Sequence, residues 1–362
     1  MDVSRFIGRP GSEVPDWGEP ASIPEFCVDD KQLAPAMVLT DYLQASAGGA
    51  SRGHVAVLRD VNGNPIYYQQ LVNVAEYNYF IENDLQTVTG QQAFVQNKCS
   101  GKSAVPGPGT CIQLPQGKLA EQGPLGQNTG ATEIKASWRI LTQPELARHA
   151  RSFITSTAYI VEPAEPDSEA LPKCSSQVVG LIGLHIIHKD PLKNQFIWSS
   201  FEHQNNAPSK GEGSSINDDK PWYSLYRKGC EPDKCGLPNT SPTSITGMTP
   251  TQVVRLNPIP DSIDALNRSV QAVFGADSVM RNYELVDVLW TNSARANQES
   301  DFRSTNGGRL ANTSMETYVQ DDNCVSCHLH AKIAKTTDAK ALDYHSDFSF
   351  VFEQASKAEP QN

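Results

Sequence analysis

The chain has 362 residues, 38% hydrophobic and 20% charged, with 30 basic against 41 acidic side chains and a formal charge of −11. That length supports two domains or one large one, and the composition excludes wholesale disorder and collagen-like repeats. The acidic balance excludes nucleic acid as a partner, since phosphate binding needs clustered Lys and Arg, and it favours cationic partners instead.

Residues 1–35 are Pro-rich and irregular, and the opening MDVSRFIGRPGSEVPDW lacks the apolar core of a signal peptide. Ala34 to Ser46 reads as a helix, and so does Asn73 to Leu85, which carries Tyr77, Tyr79 and Phe80. With Tyr67 and Tyr68 these form an aromatic-rich stretch suited to core packing. Pro106 to Gly130, with six glycines and four prolines, reads as loop. Alternation over Thr132 to Leu141 predicts a half-buried strand, and Ser152 to Val161 is a second β-prone run. Gln177 to His188 and Gln195 to His203 follow, joined through KDPLKN as a predicted hairpin. The longest apolar stretch, Val178 to Ile187, contains a histidine and falls short of the roughly 18–20 residues needed to span a membrane.

Residues 161–176 and 205–221 are polar loops. Thr251 to Leu256 predicts a strand, and Asp261 to Phe274 a helix with an apolar stripe at Ile263, Leu266, Val270, Val273 and Phe274. Tyr283 to Thr291 is again strand-like, and 292–310 is a polar loop. Thr313 and Glu316 then match a capping box, which predicts a short helix just before the next motif. No internal repeat is present. The expected fold class is α+β: a β-rich body with a few helices over 1–292, and a mostly helical C-terminal segment over 293–362 packed on it.

Cys324-Val325-Ser326-Cys327-His328 is a C-x-x-C-H, the spacing of a c-type haem attachment site. Two thiols so spaced can each form a thioether to haem c, and His328 then ligates the iron. A zinc half-site would need a second ligand pair, and Cys230 with Cys235 offers only a C-x4-C. A thioredoxin-like dithiol should sit near a βαβ pattern, which is missing here.

Covalent haem implies an exported, oxidising compartment, periplasmic or extracellular, with a signal peptide already removed from this numbering. The other six cysteines are an even set consistent with three disulfides, for which about 15 connectivities exist. Cys99–Cys111 would close a Gly/Pro loop and Cys230–Cys235 a tight turn, leaving Cys27–Cys174.

The chain ends 34 residues past His328 without a further methionine, so the downstream methionine ligand of small cytochromes c is not available. The upstream body must help build the pocket. Met315 is the nearest upstream candidate for the sixth ligand; His345, His330, His185 and His203 are alternatives, and an open iron is another.

Three stretches, Gly183 to Lys189, Ile197 to His203 and Leu310 to Tyr318 leading into the C-x-x-C-H, resemble a little-characterised group of exported bacterial proteins. Asn282 to Leu285 and Asp347 to Phe350 add to the likeness. The resemblance implies a protein with one C-terminal cytochrome c-type haem and implies no substrate.

On a strand His185 and His188 face opposite sides and cannot chelate one metal, while Glu202 shares the side of Trp198. One of these histidines with Glu202, Glu133 or Lys135 would make an acid–base set near the iron; a core hairpin with satisfied polar groups is the plainer reading. Lys135 and Arg139 could instead pair with haem propionates. No nucleotide-binding or hydrolase motif is present. The leading expectation is an exported monohaem c-type cytochrome carrying electrons to and from a redox protein partner. The alternatives are a haem-dependent oxidoreductase or gas-ligand sensor, and a haem-containing assembly module that oligomerises.

Overall fold

The computed structural model describes residues 37–43, 57–105, 110–117, 130–162, 173–193, 195–211, 215–241, 247–293, 296–335 and 342–355. The strands are β1 (Met37–Leu39), β2 (Tyr67–Val72), β3 (Thr132–Ile140), β4 (Thr155–Val161), β5 (Cys174–Asp190), β6 (Gln195–His203), β7 (Ser209–Lys210), β8 (Ile216–Asn217) and β9 (Tyr283–Leu289). All but β7 and β8 belong to one seven-stranded sheet. The helices are α1 (Val74–Glu82), α2 (Val88–Lys98), α3 (Gln143–His149), α4 (Pro232–Cys235), α5 (Asp261–Val273) and α6 (Cys324–His328). The fold is α+β with a β-sheet body.

At 17 residues, β5 is long enough to pair β4 with its first half and β6 with its second, while β3 runs along its other edge. β2 lies outside β3, β9 outside β6, and β1 runs parallel beside β4. A bridge from Asp41 to Tyr68 returns the chain after β1 to β2. This end of the sheet therefore curls round Met37, Leu39, Tyr67, Trp138, Ile160 and Val179.

Residues directly opposite across antiparallel strands share a face. On the face away from that curl, one row reads Gln70, Lys135, His185, Ser200, Asp287. The next reads Val72, Glu133, Ile187, Trp198, Leu289, and flanking the first row on its opposite edge, on the same face, lie Tyr68, Ser137, Gly183 and Glu202. Residues of the C-terminal segment bond to this face.

The predicted hairpin forms as β5 and β6, and Asn73 caps α1 by accepting from the Glu76 N–H. Cys99–Cys111 and Cys230–Cys235 are disulfides, with Cα separations of 5.2 and 6.1 Å. Cys174 is also disulfide-bonded; its expected partner, Cys27, lies outside the described residues.

Several expectations are corrected. Met37–Leu39 is a strand rather than part of a helix, because pairing with β4 overrides local propensity. Thr251 to Leu256 forms no ladder; its Val253 and Arg255 N–H groups donate singly to the Leu225 and Pro208 carbonyls. On α5 Ile263 is buried, but Leu266, Val270 and Val273 are exposed. That helix docks on β9 through Asn267, which exchanges two 2.8 Å hydrogen bonds with the Leu285 backbone, and through Gln271 on the Tyr283 carbonyl. An edge strand offers unpaired backbone groups, so amides serve there better than an apolar stripe.

The C-terminal segment is not mostly helical: beyond residue 293 the described residues hold one five-residue α-helix and two 3₁₀ turns. No helix starts at the expected capping box. Thr313 bonds to Glu202 across the fold, and the Glu316 carboxylate accepts from the Asn312 N–H at 2.8 Å.

Candidate functional site

The C-x-x-C-H forms α6, whose start is fixed by Asn323: its side chain accepts from the Val325 N–H at 2.9 Å. One helical turn brings Cys324, Cys327 and His328 together, and neither thiol is in a disulfide. The His328 Nδ1–H donates to the Phe348 carbonyl at 2.6 Å, which leaves Nε2 with a lone pair. That carbonyl is aimed by two consecutive non-glycine residues in the left-handed region, Asp347 (φ 53°) and Phe348 (φ 69°). Such backbone is costly and needs support from its surroundings. Lys189 supplies it by ion-pairing with Asp347, whose carboxylate also accepts from the Leu114 N–H at 2.7 Å.

The walls are aromatic. Trp198 and Phe350 meet the His328 ring edge-on at 6.2 and 5.0 Å, and Phe302 and Phe348 pack on Trp198. Burial pulls the His328 imidazole down to about 4 and pushes the Cys324 thiol well up, yet both side chains stay only half-buried by surface area.

The segment leading to α6 is fastened to the sheet face by buried polar contacts. Glu202 ion-pairs with Arg255, and its other oxygen accepts from Thr313 N (2.9 Å) and Oγ1 (2.8 Å). Ser314 Oγ lies 2.6 Å from Ser137 Oγ, and the Ser314 carbonyl accepts from Tyr68 at 2.8 Å. Gly183 makes this approach feasible, since a Cβ there would lie 2.3 Å from Ser314 Oγ.

The polar row on β3, β5 and β6 lies next to the row that carries Trp198. Lys135 and His185 are a cross-strand pair, and with Glu316 they act electrostatically on the His328 ring. His185 Nε2 lies 3.4 Å from Glu316 Oε2, out of line for a hydrogen bond. Burial alone would raise the Glu316 carboxyl; His185, Lys135 and the Asn312 N–H together hold it below its usual range. Burial lowers the Lys135 ammonium, whose Nζ sits 5.6 Å above the Tyr68 ring centre. Four buried polar atoms on this face make no hydrogen bond: His185 Nε2, which faces Glu316, together with Ser200 Oγ, Trp198 Nε1 and Glu133 Oε1.

Behind the Phe348 turn lies a second polar cluster. Glu76 and Glu133 face each other, buried, and neither Glu76 oxygen meets a donor. Burial first, then the facing carboxylate, pushes Glu76 well above its ordinary value, so the pair is comfortable only while it holds a proton.

The structure sorts the residues nominated from sequence. Cys324, Cys327 and His328 share the turn of α6, and Lys135 and His185 act on the His328 ring only through their charge; Met315 lies elsewhere. It is fully buried among Leu58, Ile66, Ile182, Leu225 and Val253, a cluster separate from the aromatic one packed against Cys324. His203 stacks on Phe153 and its Nε2 bonds to the Ser152 carbonyl at 3.0 Å, while His188 bonds to Thr132 at 2.8 Å. Arg139 is corrected as a propionate partner: it is buried against Asp60 and Glu145. Cys230 and Cys235 are bonded to each other, so they offer no zinc thiolates. Among the described residues no group of three His, Cys, Asp or Glu side chains has metal-holding geometry. Lys189 and the Phe348 carbonyl were missed as supports of His328; Asp347 to Phe350 was noticed only as part of a likeness.

The donor set fits a c-type haem: two thiols one turn apart, an imidazole with its Nε2 uncommitted, and apolar ring walls around it. No protein-family model, curated protein or solved structure matches the chain. No helix of the described residues is long and apolar enough to cross a membrane.

Proposed function

We propose that this chain is an exported monohaem c-type haem protein, with Cys324 and Cys327 holding the haem through thioethers and His328 ligating its iron. The observation that carries this reading is the His328 Nδ1–H bond to the Phe348 carbonyl, which fixes the tautomer with Nε2 ready for a metal. When bound, the haem would supply one-electron redox chemistry and, where a coordination position is open, small-ligand binding. The chain's own residues orient the imidazole, shield it with Trp198, Phe302 and Phe350, and set Lys135, His185 and Glu316 beside it. The disulfides support an oxidising compartment.

Between the candidate roles, the titratable groups that act on the His328 ring favour an oxidoreductase or ligand sensor that exchanges electrons with a protein partner. A simple electron carrier with Met315 as sixth ligand loses support from the place of Met315 in another cluster. The test is expression with c-type maturation in an exporting bacterial host. The wild-type chain should give a haem-stained band in a denaturing gel, and Cys324→Ala/Cys327→Ala should lose it. A wild-type band without haem overturns the proposal. Carbon monoxide should shift the Soret band of the reduced protein; an unchanged spectrum would return the reading to closed-site electron transfer.

A further inference from the structure

We infer that Glu76 and Glu133 form a redox-linked proton site, which takes up a proton from solvent as the iron gains an electron, an inference that rests on the haem reading above. Two carboxyl groups from different elements are pressed together here, Glu76 from the first turn of α1 and Glu133 from β3. They are 0% and 9% exposed. Their side chains are in hydrogen-bond contact, which two carboxyl groups can make only through a proton. No other donor reaches Glu76, and Glu133 Oε1 meets none.

The surrounding charges leave the pair uncompensated. Asp347 and Lys189 both act on it, but they are ion-paired with each other. Ser349 adds only a neutral donor to Glu133. The occupant is a proton rather than a metal ion, since among the described residues no three ligating side chains have metal-holding geometry. Burial lifts Glu133 to about 7, so small changes in nearby charge move its proton in the neutral range.

Position links the pair to the axial histidine. Ser349 follows Phe348, whose carbonyl accepts from His328 Nδ1 at 2.6 Å. Adding the reach from that carbonyl to the Ser349 hydroxyl and on to Glu133 puts the carboxyl within about 11 Å of the imidazole. Glu133 also shares the row of Trp198, two strands away. An electron gained at the iron is one more negative charge in this neighbourhood. Over about 11–15 Å at an effective dielectric of about 20, it tightens the pair's hold on a proton by roughly tenfold. The balance is one electron from a one-electron donor to the iron and one proton from solvent to the pair, which passes from sharing a proton to two neutral carboxyls.

The experiment uses the haem-loaded protein, after the stained gel has shown that wild type and variants carry haem. The midpoint potential is titrated at an electrode from about pH 5 to 9, where its slope counts protons taken up per electron. Wild type, Glu133→Gln, Glu76→Gln/Glu133→Gln and Glu82→Gln, an exposed control on α1, are compared. The wild-type potential should fall as pH rises through neutrality, with a slope of up to about half a proton per electron for a tenfold shift. The double variant should lose that slope, and Glu82→Gln should keep it. The same slope in wild type and double variant overturns the inference and assigns the proton to the haem propionates; a flat wild type overturns it as well. Should the double variant carry no haem, reduced-minus-oxidised infrared spectra decide. A neutral-carboxyl band that grows on reduction in wild type and is lost in Glu133→Gln supports the inference, and its absence from wild type or persistence in the variant overturns it. A wild-type chain without haem instead refutes the underlying haem reading.

Discussion

Gly183 is the position where sequence, packing and site meet, and Gly183→Ala tests the docking of the C-terminal segment on the sheet. The glycine has no left-handed φ, so alanine suits the backbone, and a neutral site would gain about 0.4–1 kcal/mol from the unfolded state. Space decides otherwise. The added Cβ would lie 2.3 Å from Ser314 Oγ, 2.5 Å from Ser137 Oγ and 2.7 Å from Asn312 Oδ1, all below the closest real contacts. Overpacking costs about 1–3 kcal/mol. Parting the Ser137–Ser314 and Ser314–Asn312 hydrogen bonds adds about 1 kcal/mol each. The expected loss is about 3–5 kcal/mol, a large share of the roughly 5–15 kcal/mol that stabilises a domain. Urea unfolding followed by tryptophan fluorescence measures it, with Gly275→Ala, whose Cβ would meet nothing within 4 Å, as the neutral control. Adding Ser314→Ala removes the nearest clashing atom, so the double variant should beat the sum of the singles by about 1 kcal/mol or more. Wild-type stability in Gly183→Ala, or strict additivity with Ser314→Ala, would refute this account of the segment's seat.

Two further outcomes follow from buried charge. Burial, opposed by hydrogen bonds from Ser349 and Glu76, raises Glu133 to about 7 from 4.5, so the folded chain holds a proton there that the unfolded chain releases. Stability from this group therefore falls as pH rises between about 4.5 and 7; Glu133→Gln should gain on the order of 3 kcal/mol at pH 8 and nothing at pH 4 in urea unfolding, and a pH-independent effect would contradict it. Glu202→Gln leaves Arg255 buried without its counter-ion and should cost about 3–5 kcal/mol by thermal or urea unfolding. A Glu202→Met/Arg255→Met pair should recover much of that loss, and failure to do so would mean that the Thr313 contacts carry the effect.

Local signals were legible where local chemistry decides. The alternation of β3, the hairpin of β5 and β6, the Asn73-capped α1 and the two short-range disulfides all formed from patterns visible within a dozen or so residues. The failures share a cause as well. β1 became a strand because β4 offered an edge, and α5 left Leu266, Val270 and Val273 of its apolar stripe exposed because β9 needed amides. α2 was missed because its buried positions include Gly90 and Gln91, which carry no apolar signal. Gln91 is there to bond the Leu85 and Phe352 carbonyls, the latter 261 residues away.

By itself the sequence determined the C-x-x-C-H spacing, which puts two thiols and an imidazole within one helical turn, a local constraint. It also determined the disulfide loops and the alternation that gives the sheet its two faces. Only tertiary structure decided what surrounds the imidazole. The Phe348 carbonyl on Nδ1, the distant Lys189 that steadies its turn, and the row from Lys135 to Ser200 come from separate strands and a C-terminal turn. Their meeting depends on sheet register and on the close approach that Gly183 permits, and neither is written in any single stretch of chain. Met315 shows the same limit: nearness in sequence suggested a ligand, and side-chain direction sent it into another core.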